Sequence, residues 1–386
     1  MQVMSENKVV PKLRFENFSN SWDISKFDTY CNFQQGVQVD VELHKKKYED
    51  GYIKFLRIEN YTQKSNDFRF IPDLYKESKR IDEDDIVVVR YGATAGFIGR
   101  GFTGILANNL FKIIPDKNIF NKDYLYQYLI SFRVFKFFQS EMAGGAMPAL
   151  SFGIVKHLKV PITSIPEQQK IASFLSVVDE KLQQLTKKKE LLEEYKKGVM
   201  QKIFSQELRF RDDNGNSFPD WEEKKLGEIA FKTSSSISAN NIQENFGEYV
   251  LYGASGILKK VDFYREENPY ISIVKDGAGV GRVLMCEPYS SVLGTLDMIK
   301  PKESNDLYFI YTLLQRIYFE RYTVGSTIPH IYFKDYSLEK IKVPFLEEQK
   351  KIAKSLSFLD RKIELVSTQI ENTKSFKNGL LQQMFV

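Results

Sequence analysis

The chain is poor in the residues that protein chemistry most often relies on. Its 386 residues include two cysteines, three histidines and two tryptophans. Cys31 and Cys286 alone exclude a disulfide framework and a cysteine-built zinc site. His44, His157 and His330 lie far apart on unlike local patterns, which argues against an imidazole proton relay or a histidine metal centre. No run approaches the roughly 18 apolar residues needed to cross a bilayer. The opening MQVMSENKVVPKLRF has no apolar core of signal-peptide type, so the expected location is the cytoplasm. Walker A, His-Glu-x-x-His, Gly-x-Ser-x-Gly and clustered nuclease signatures are all missing. Asp276-Gly277-Ala278-Gly279-Val280-Gly281 follows a strand pattern, but Arg282 stands where a dinucleotide loop needs its third glycine. The VLMCEPYSSV that follows does not read as a helix, so this segment and Gly92–Gly96 read as tight turns between strands. Asn268-Pro269-Tyr270 is one proline short of an amino-methyltransferase loop and also reads as structure.

What is present is ordinary globular material, at 42% hydrophobic and 27% charged residues. The length suits two or three domains. Aromatics reach 14%, and the net charge of +5 permits a polyanionic partner without demanding one.

The chain also repeats itself. IPEQQKIASFLSVVDEKL from Ile165 returns as LEEQKKIAKSLSFLDRKI from Leu346, 181 residues on. Glu167, Gln168, Ile171, Ala172, Leu175 and Asp179 recur as Glu348, Gln349, Ile352, Ala353, Leu356 and Asp360. Lys196, Gly198 and Phe204 recur as Lys377, Gly379 and Phe385. Upstream, Leu13-Arg14-Phe15 with Trp22 answers Leu208-Arg209-Phe210 with Trp221. VRYGATAG at 89–96 answers VKDGAGVG at 274–281, and GGAMPALSF at 144–152 answers VGSTIPHIYF at 324–333. Four segments follow: a globular unit over 1–165, a long helix over 166–205, a second unit over 206–345 and a second helix over 346–386.

The helices carry a heptad seam, apolar on one face. It consists of Ile171, Leu175, Val178, Leu182, Leu185 and Leu192 in the first, and of Ile352, Leu356, Leu359, Ile363, Val366 and Ile370 in the second. Forty residues at 1.5 Å each make a rod of about 60 Å. Such a stripe needs burial against another helix, and the other copy is the simplest partner. Lys189 and Lys196 on the seam read as stems snorkelling to water, with register-setting or contact with another subunit as the alternative. Pro166 and Glu167 at one start, and Glu347-Glu348 at the other, fit helix N-termini.

Both units read as mixed α/β. Strands are expected at 52–61, 86–92 and 107–114, and again at 248–255 and 270–277. Aromatic-rich helices are expected at 121–138 and 305–322, with their rings in the core.

Two similar units on a rigid spacer, with no catalytic motif, suit the reading of a bipartite DNA site. The first unit has 23 basic and 19 acidic residues; the second has 17 and 20. Candidate phosphate contacts are Lys45, Lys46, Lys47, Lys79, Arg80, Arg90 and Arg100 in the first unit, with Lys259, Lys260, Lys275 and Arg282 in the second. Candidate base readers are the loop residues Asn108, Asn109, Ser151, Ser326, Thr327, His330 and Tyr332. Two other readings stay open: a methyltransferase or nuclease with unrecognised motifs, and a coiled-coil scaffold that does not bind DNA.

The chain resembles the specificity subunits of bacterial type I restriction–modification systems. The likeness rests on Val160-Pro161 with Ile165-Pro166-Glu167-Gln168-Gln169-Lys170-Ile171-Ala172, returning as Val343-Pro344 with Leu346-Glu347-Glu348-Gln349-Lys350-Lys351-Ile352-Ala353. The Leu-Arg-Phe…Trp starts, the glycine turns and the Lys-x-Gly…Phe ends add to it; Glu347 in place of a second proline is the main departure. The resemblance implies two target recognition domains, each reading one half of a split DNA sequence. It implies helices that pair as an antiparallel coiled coil and set the unread gap. It also implies two methyltransferase subunits and restriction translocase–nuclease subunits as partners. S-adenosylmethionine, ATP and magnesium then belong to those partners, and this chain catalyses nothing.

Overall fold

A computed structural model describes residues 9–142, 148–325 and 327–386. The chain divides into two compact units. One takes the chain up to Lys187 together with Thr368–Val386; the other takes Lys188–Ser367.

In the first unit, the apolar run Ile86–Val89 is buried at all four positions and forms a central strand. It pairs antiparallel with Leu110–Pro115 on one side and Ile98–Gly99 on the other, and Cys31–Gln35 flanks Leu110–Pro115. A second sheet runs in the order Arg69–Pro72, Tyr52–Leu56, Gly104–Leu106, Arg80–Ile81, with its two middle strands parallel. A ribbon of Asp23–Lys26 with Lys159–Ile162 closes the unit just before the long helix Ile165–Phe204.

The second unit repeats this plan. Ala230–Ser234, Leu296–Pro301, Tyr270–Val274 and Val283–Cys286 form the antiparallel sheet, with the same first-fourth-second-third strand order. Gly256–Val261, Tyr249–Gly253 and Ser290–Val292 form the other, again with one parallel pair. The ribbon is Glu222–Lys225 with Lys340–Val343, before the helix Leu346–Met384. The segment after the glycine turn is strand, as the sequence indicates.

Three local expectations change. The expected strand at 52–61 stops at Leu56, and Ile58–Thr62 is a helical turn started by the Asn60 side chain accepting the Arg57 N–H. The helix expected at 121–138 is two, Lys122–Leu129 and Phe132–Met142, because the buried Ser131 ends one and starts the next. Its rings also divide. Tyr124, Tyr128 and Phe138 are core, but Phe132 and Phe135 are exposed and stack on each other at 6.4 Å. The helix expected at 305–322 is Leu307–Leu314, followed by a short 3-10 turn at Phe319–Tyr322.

The seam is buried within each unit. In the first, Ile171, Leu175, Val178, Leu185 and Ile370 are buried and Leu182 half-buried. Ile171, Leu175 and Val178 share a core with Leu380, Leu381, Met384 and Phe385 from the far end of the other helix. In the second unit, Ile352, Leu356 and Leu359 share a core with Ile203, and Val199 packs against it. Val366 is buried there, and Leu192 and Ile363 are half-buried. In both units the start of one helix thus lies against the end of the other, and the pairing is antiparallel.

Candidate nucleic-acid interface

Two constructions recur in the units: a buried clamp that fixes the globular portion to its helix, and a loop edge that presents side chains to solvent.

The clamp centres on Glu167, 1% exposed in the first turn of its helix. Its carboxylate accepts from Arg14 Nε at 2.7 Å and Nη2 at 2.8 Å, from Trp22 Nε1 at 3.1 Å, and from the Thr163 hydroxyl. Burial pushes this carboxyl up, but Arg14, Thr163 and Trp22 outweigh burial and hold it below the usual glutamate range. Glu348, fully buried, accepts from Arg209 Nη2 at 2.8 Å and Trp221 Nε1 at 3.1 Å in the same way. The adjacent glutamines complete each clamp. Gln168 accepts from the Asn121 N–H and donates to the Ile119 and Thr163 carbonyls. Gln349 accepts from the Asp306 N–H and donates to the Pro344 carbonyl. The Leu-Arg-Phe…Trp and Glu-Gln repeats are therefore two halves of one buried site, and the glutamates bind side chains as well as sitting at helix starts.

A third recurring pair lies on the helices. Asp179 accepts from Lys377 at 2.6 Å and Gln127 at 2.8 Å. In the second unit Asp360 accepts from Lys196 at 2.5 Å and from the Tyr308 hydroxyl. Lys196 is thus half-buried in an ion pair instead of snorkelling. The sequence carried a signal for this, since all four residues recur at the 181-residue offset; which acid faces which lysine is set by the antiparallel pairing.

The loop edge joins the glycine turns to the Gly/Pro loops. In the first unit the Gly92 N–H donates to the Pro148 carbonyl and the Leu150 N–H to Arg90. Tyr91 bridges Ala149. In the second, the Gly277 N–H donates to Pro329, the Ile331 N–H to Lys275, and Asp276 bridges His330. Gly92, Gly96, Gly277, Gly279 and Gly281 all have positive φ, which explains the glycines. The two upstream repeats of the sequence are thus hydrogen-bonded partners in space.

Several candidates gather at these edges. Arg90 packs its guanidinium over the rings of Tyr91 (4.9 Å) and Phe152 (4.7 Å), and its buried Nε has no partner among the described residues. Its N–H donates to the carbonyl of Asn109, whose Oδ1 likewise has no partner among the described residues. Asn108 is exposed, and its amide donates to Gln38. Ser151 caps the helix Phe152–His157 by accepting from the Ile154 N–H. In the second unit Lys275, Arg282, Thr327, His330 and Tyr332 lie at the equivalent edge. Arg282 donates to the Ala254 carbonyl at 2.6 Å, and His330 packs against Tyr332 at 5.0 Å. Ser326 lies outside the described residues, as does most of the Gly-rich start of the first loop, 143–147.

Other candidates hold contacts within the chain. Arg80 pairs with Asp73 at 2.7 Å and Glu77 at 3.1 Å, and Arg100 pairs with Asp123 over the Tyr126 ring. Lys259 donates to the Ile242 and Gln243 carbonyls. Lys45 pairs with Glu49, whereas Lys46, Lys47, Lys79 and Lys260 are exposed.

An open cavity of 630 Å³ in the first unit is lined in part by Asp82, Asp84, Asp85, Lys112 and Lys122. Lys112 and Lys122 pair with Asp85, and Lys122 also with Asp84. Among the described residues no group of three or more His, Cys, Asp or Glu is placed to hold a metal ion, and no helix is long and apolar enough to cross a membrane.

Residues 33–194 and 219–374 match the family described as the type I restriction modification DNA specificity domain. The chain is 26% identical over 396 aligned residues to the type I restriction enzyme MjaVIII specificity subunit of Methanocaldococcus jannaschii, covering 93% of this chain and 91% of that one. It is 30% identical over 303 residues to the putative MjaX specificity subunit of the same organism, covering 71% and 69%. Among solved structures, the S subunit of a type I restriction-modification system from M. genitalium superposes with a TM-score of 0.66 at 20% identity, covering 98% and 99%. A chain from a structure of type I system assembly and conformational transition superposes with a TM-score of 0.52 at 15% identity, covering 94% and 97%.

Proposed function

The chain belongs to the type I restriction modification DNA specificity family, and from that premise we propose that its two units read the two unlike halves of one bipartite, asymmetric double-stranded DNA site. It is a recognition subunit and does no chemistry of its own. The observation that carries the two-half-site reading is the duplicated loop edge. Two scaffolds with the same strand order each tie a glycine turn to a Gly/Pro loop, and the side chains presented there differ. Equal scaffolds with unequal side chains suit two half-sites of unequal sequence. The paired helices act as the ruler for the unread gap and as the dock for two methyltransferase subunits. Restriction subunits join that core, and S-adenosylmethionine, ATP and magnesium belong to these partners. The site of action is the cytoplasm, where the DNA is.

The test is a methylation map of the complex reconstituted with its methyltransferase subunits. The expected motif has two unlike halves around a fixed gap. Removing or adding about one heptad within residues 180–195 is expected to change the gap and leave both halves intact. A changed half-site would refute the ruler role, and a continuous motif would refute the two-unit reading. Affinity of the complex for its site is expected to fall steeply with salt, because phosphate contacts release counterions.

A further inference from the structure

We propose that the two-residue shoulder of the glycine turn, Arg90-Tyr91 in one unit and Lys275-Asp276 in the other, reads bases in both units, with Arg90 at the first position of its shoulder donating to a guanine and Asp276 at the second position of the other accepting a hydrogen bond from a cytosine amine. The inference rests on the proposed function and names the side chains that give the half-sites their difference.

The repeat aligns Arg90-Tyr91-Gly92 with Lys275-Asp276-Gly277, and the backbone treats the two segments alike. In each, the first shoulder residue (Arg90, Lys275) accepts an N–H from the Gly/Pro loop, the second (Tyr91, Asp276) bridges that loop, and the glycine after them donates to a proline carbonyl. Each shoulder is therefore held from both sides, as a reading position requires: a side chain that selects a base must not move with its loop.

The chemistry presented there differs. The Asp276 side chain is 41% exposed and pairs with Lys275 next door, at 3.6 Å. Among the described residues its side chain caps no helix. A free carboxylate beside a phosphate backbone repels it; directed at a base edge it accepts from cytosine N4. Lys275 beside it offsets the repulsion. At the first edge the guanidinium of Arg90 lies over the rings of Tyr91 and Phe152 and pairs with no carboxylate among the described residues. A fixed, planar and uncompensated guanidinium matches the O6/N7 edge of guanine.

The experiment uses the reconstituted complex and reads every methylated site genome-wide, for the wild type and for Asp276→Ala, Asp276→Asn, Arg90→Ala and Arg90→Lys. Arg90→Ala is expected to relax one guanine position in one half-site, lowering discrimination there roughly 10- to 100-fold. Asp276→Ala is expected to relax one cytosine position in the other half, and Asp276→Asn to shift that position towards adenine, whose N6/N7 edge suits an amide. The proposal is overturned if methylation falls with the motif unchanged, if the variants leave the motif as it was, or if both relax the same half. A wild-type complex with no bipartite motif would overturn the proposed function itself, which keeps the two failures distinguishable.

Discussion

Replacing Arg14 by methionine removes the cation from the first clamp and leaves the Glu167 carboxylate, 1% exposed, with only Trp22 and Thr163. Breaking a buried ion pair from one side costs about 3–5 kcal/mol, because the remaining charge is uncompensated. For a unit of this size that is a fall of roughly 6–20 °C in melting temperature. The sign with pH follows from the depressed carboxyl of Glu167. In the wild type its contribution is complete above the ordinary glutamate range and is lost as pH falls through the lowered folded value. Without Arg14 the same burial favours the protonated acid, so the gap between wild type and variant should shrink on acidification. The assay is built into the chain, whose two tryptophans each sit in one clamp. In a Trp221→Phe background, Trp22 fluorescence reports the first unit alone during urea unfolding. Adding Glu167→Gln to Arg14→Met should recover much of the loss, since a neutral amide still accepts from Trp22. A loss under about 1 kcal/mol, a loss independent of pH, or a double variant no better than the single would mean that Arg14 does not compensate a buried Glu167 charge.

Three further outcomes are expected. Phe385→Ala removes a ring packed between Tyr124 and Tyr128, so it should destabilise the first unit by about 3–5 kcal/mol in Trp22-monitored unfolding, although it lies next to the last residue of the chain. Asp360→Ala strands the half-buried Lys196 and frees the Tyr308 hydroxyl, costing about 1–3 kcal/mol in the second unit, while the exchange Lys196→Asp with Asp360→Lys should restore much of it. Burial pushes the Cys31 thiol up to about 12 and Cys286 to about 11, so neither should react with a thiol reagent at pH 8 until denaturant is added.

The duplication, the heptad seam and the glycine turns were legible because each is a periodic or local signal. The seam residues are buried or half-buried as their spacing requires, and the glycines of both turns have positive φ. The clamp was visible only as two separate motifs. Arg14 and Glu167 stand 153 residues apart, and nothing local says that a first-turn glutamate is buried against a tryptophan. Spacing alone does not separate snorkelling from pairing at Lys196 for the same reason, since its acid lies on the other helix. The break at Ser131 was hidden by aromatics that continue a helical pattern through it. Among the candidate contacts, the sequence could not separate Arg90, which pairs with no carboxylate among the described residues, from Arg80 and Arg100, which do, because charge runs look alike until their neighbours are known.

In the proposed function, one unit reads one half-site. The most direct measurement replaces residues 206–345 with the corresponding unit of a relative of different specificity and maps adenine methylation by the resulting complex. One half of the motif is expected to change while the other half and the gap stay as they were. A motif changed in both halves, or in neither, would contradict it.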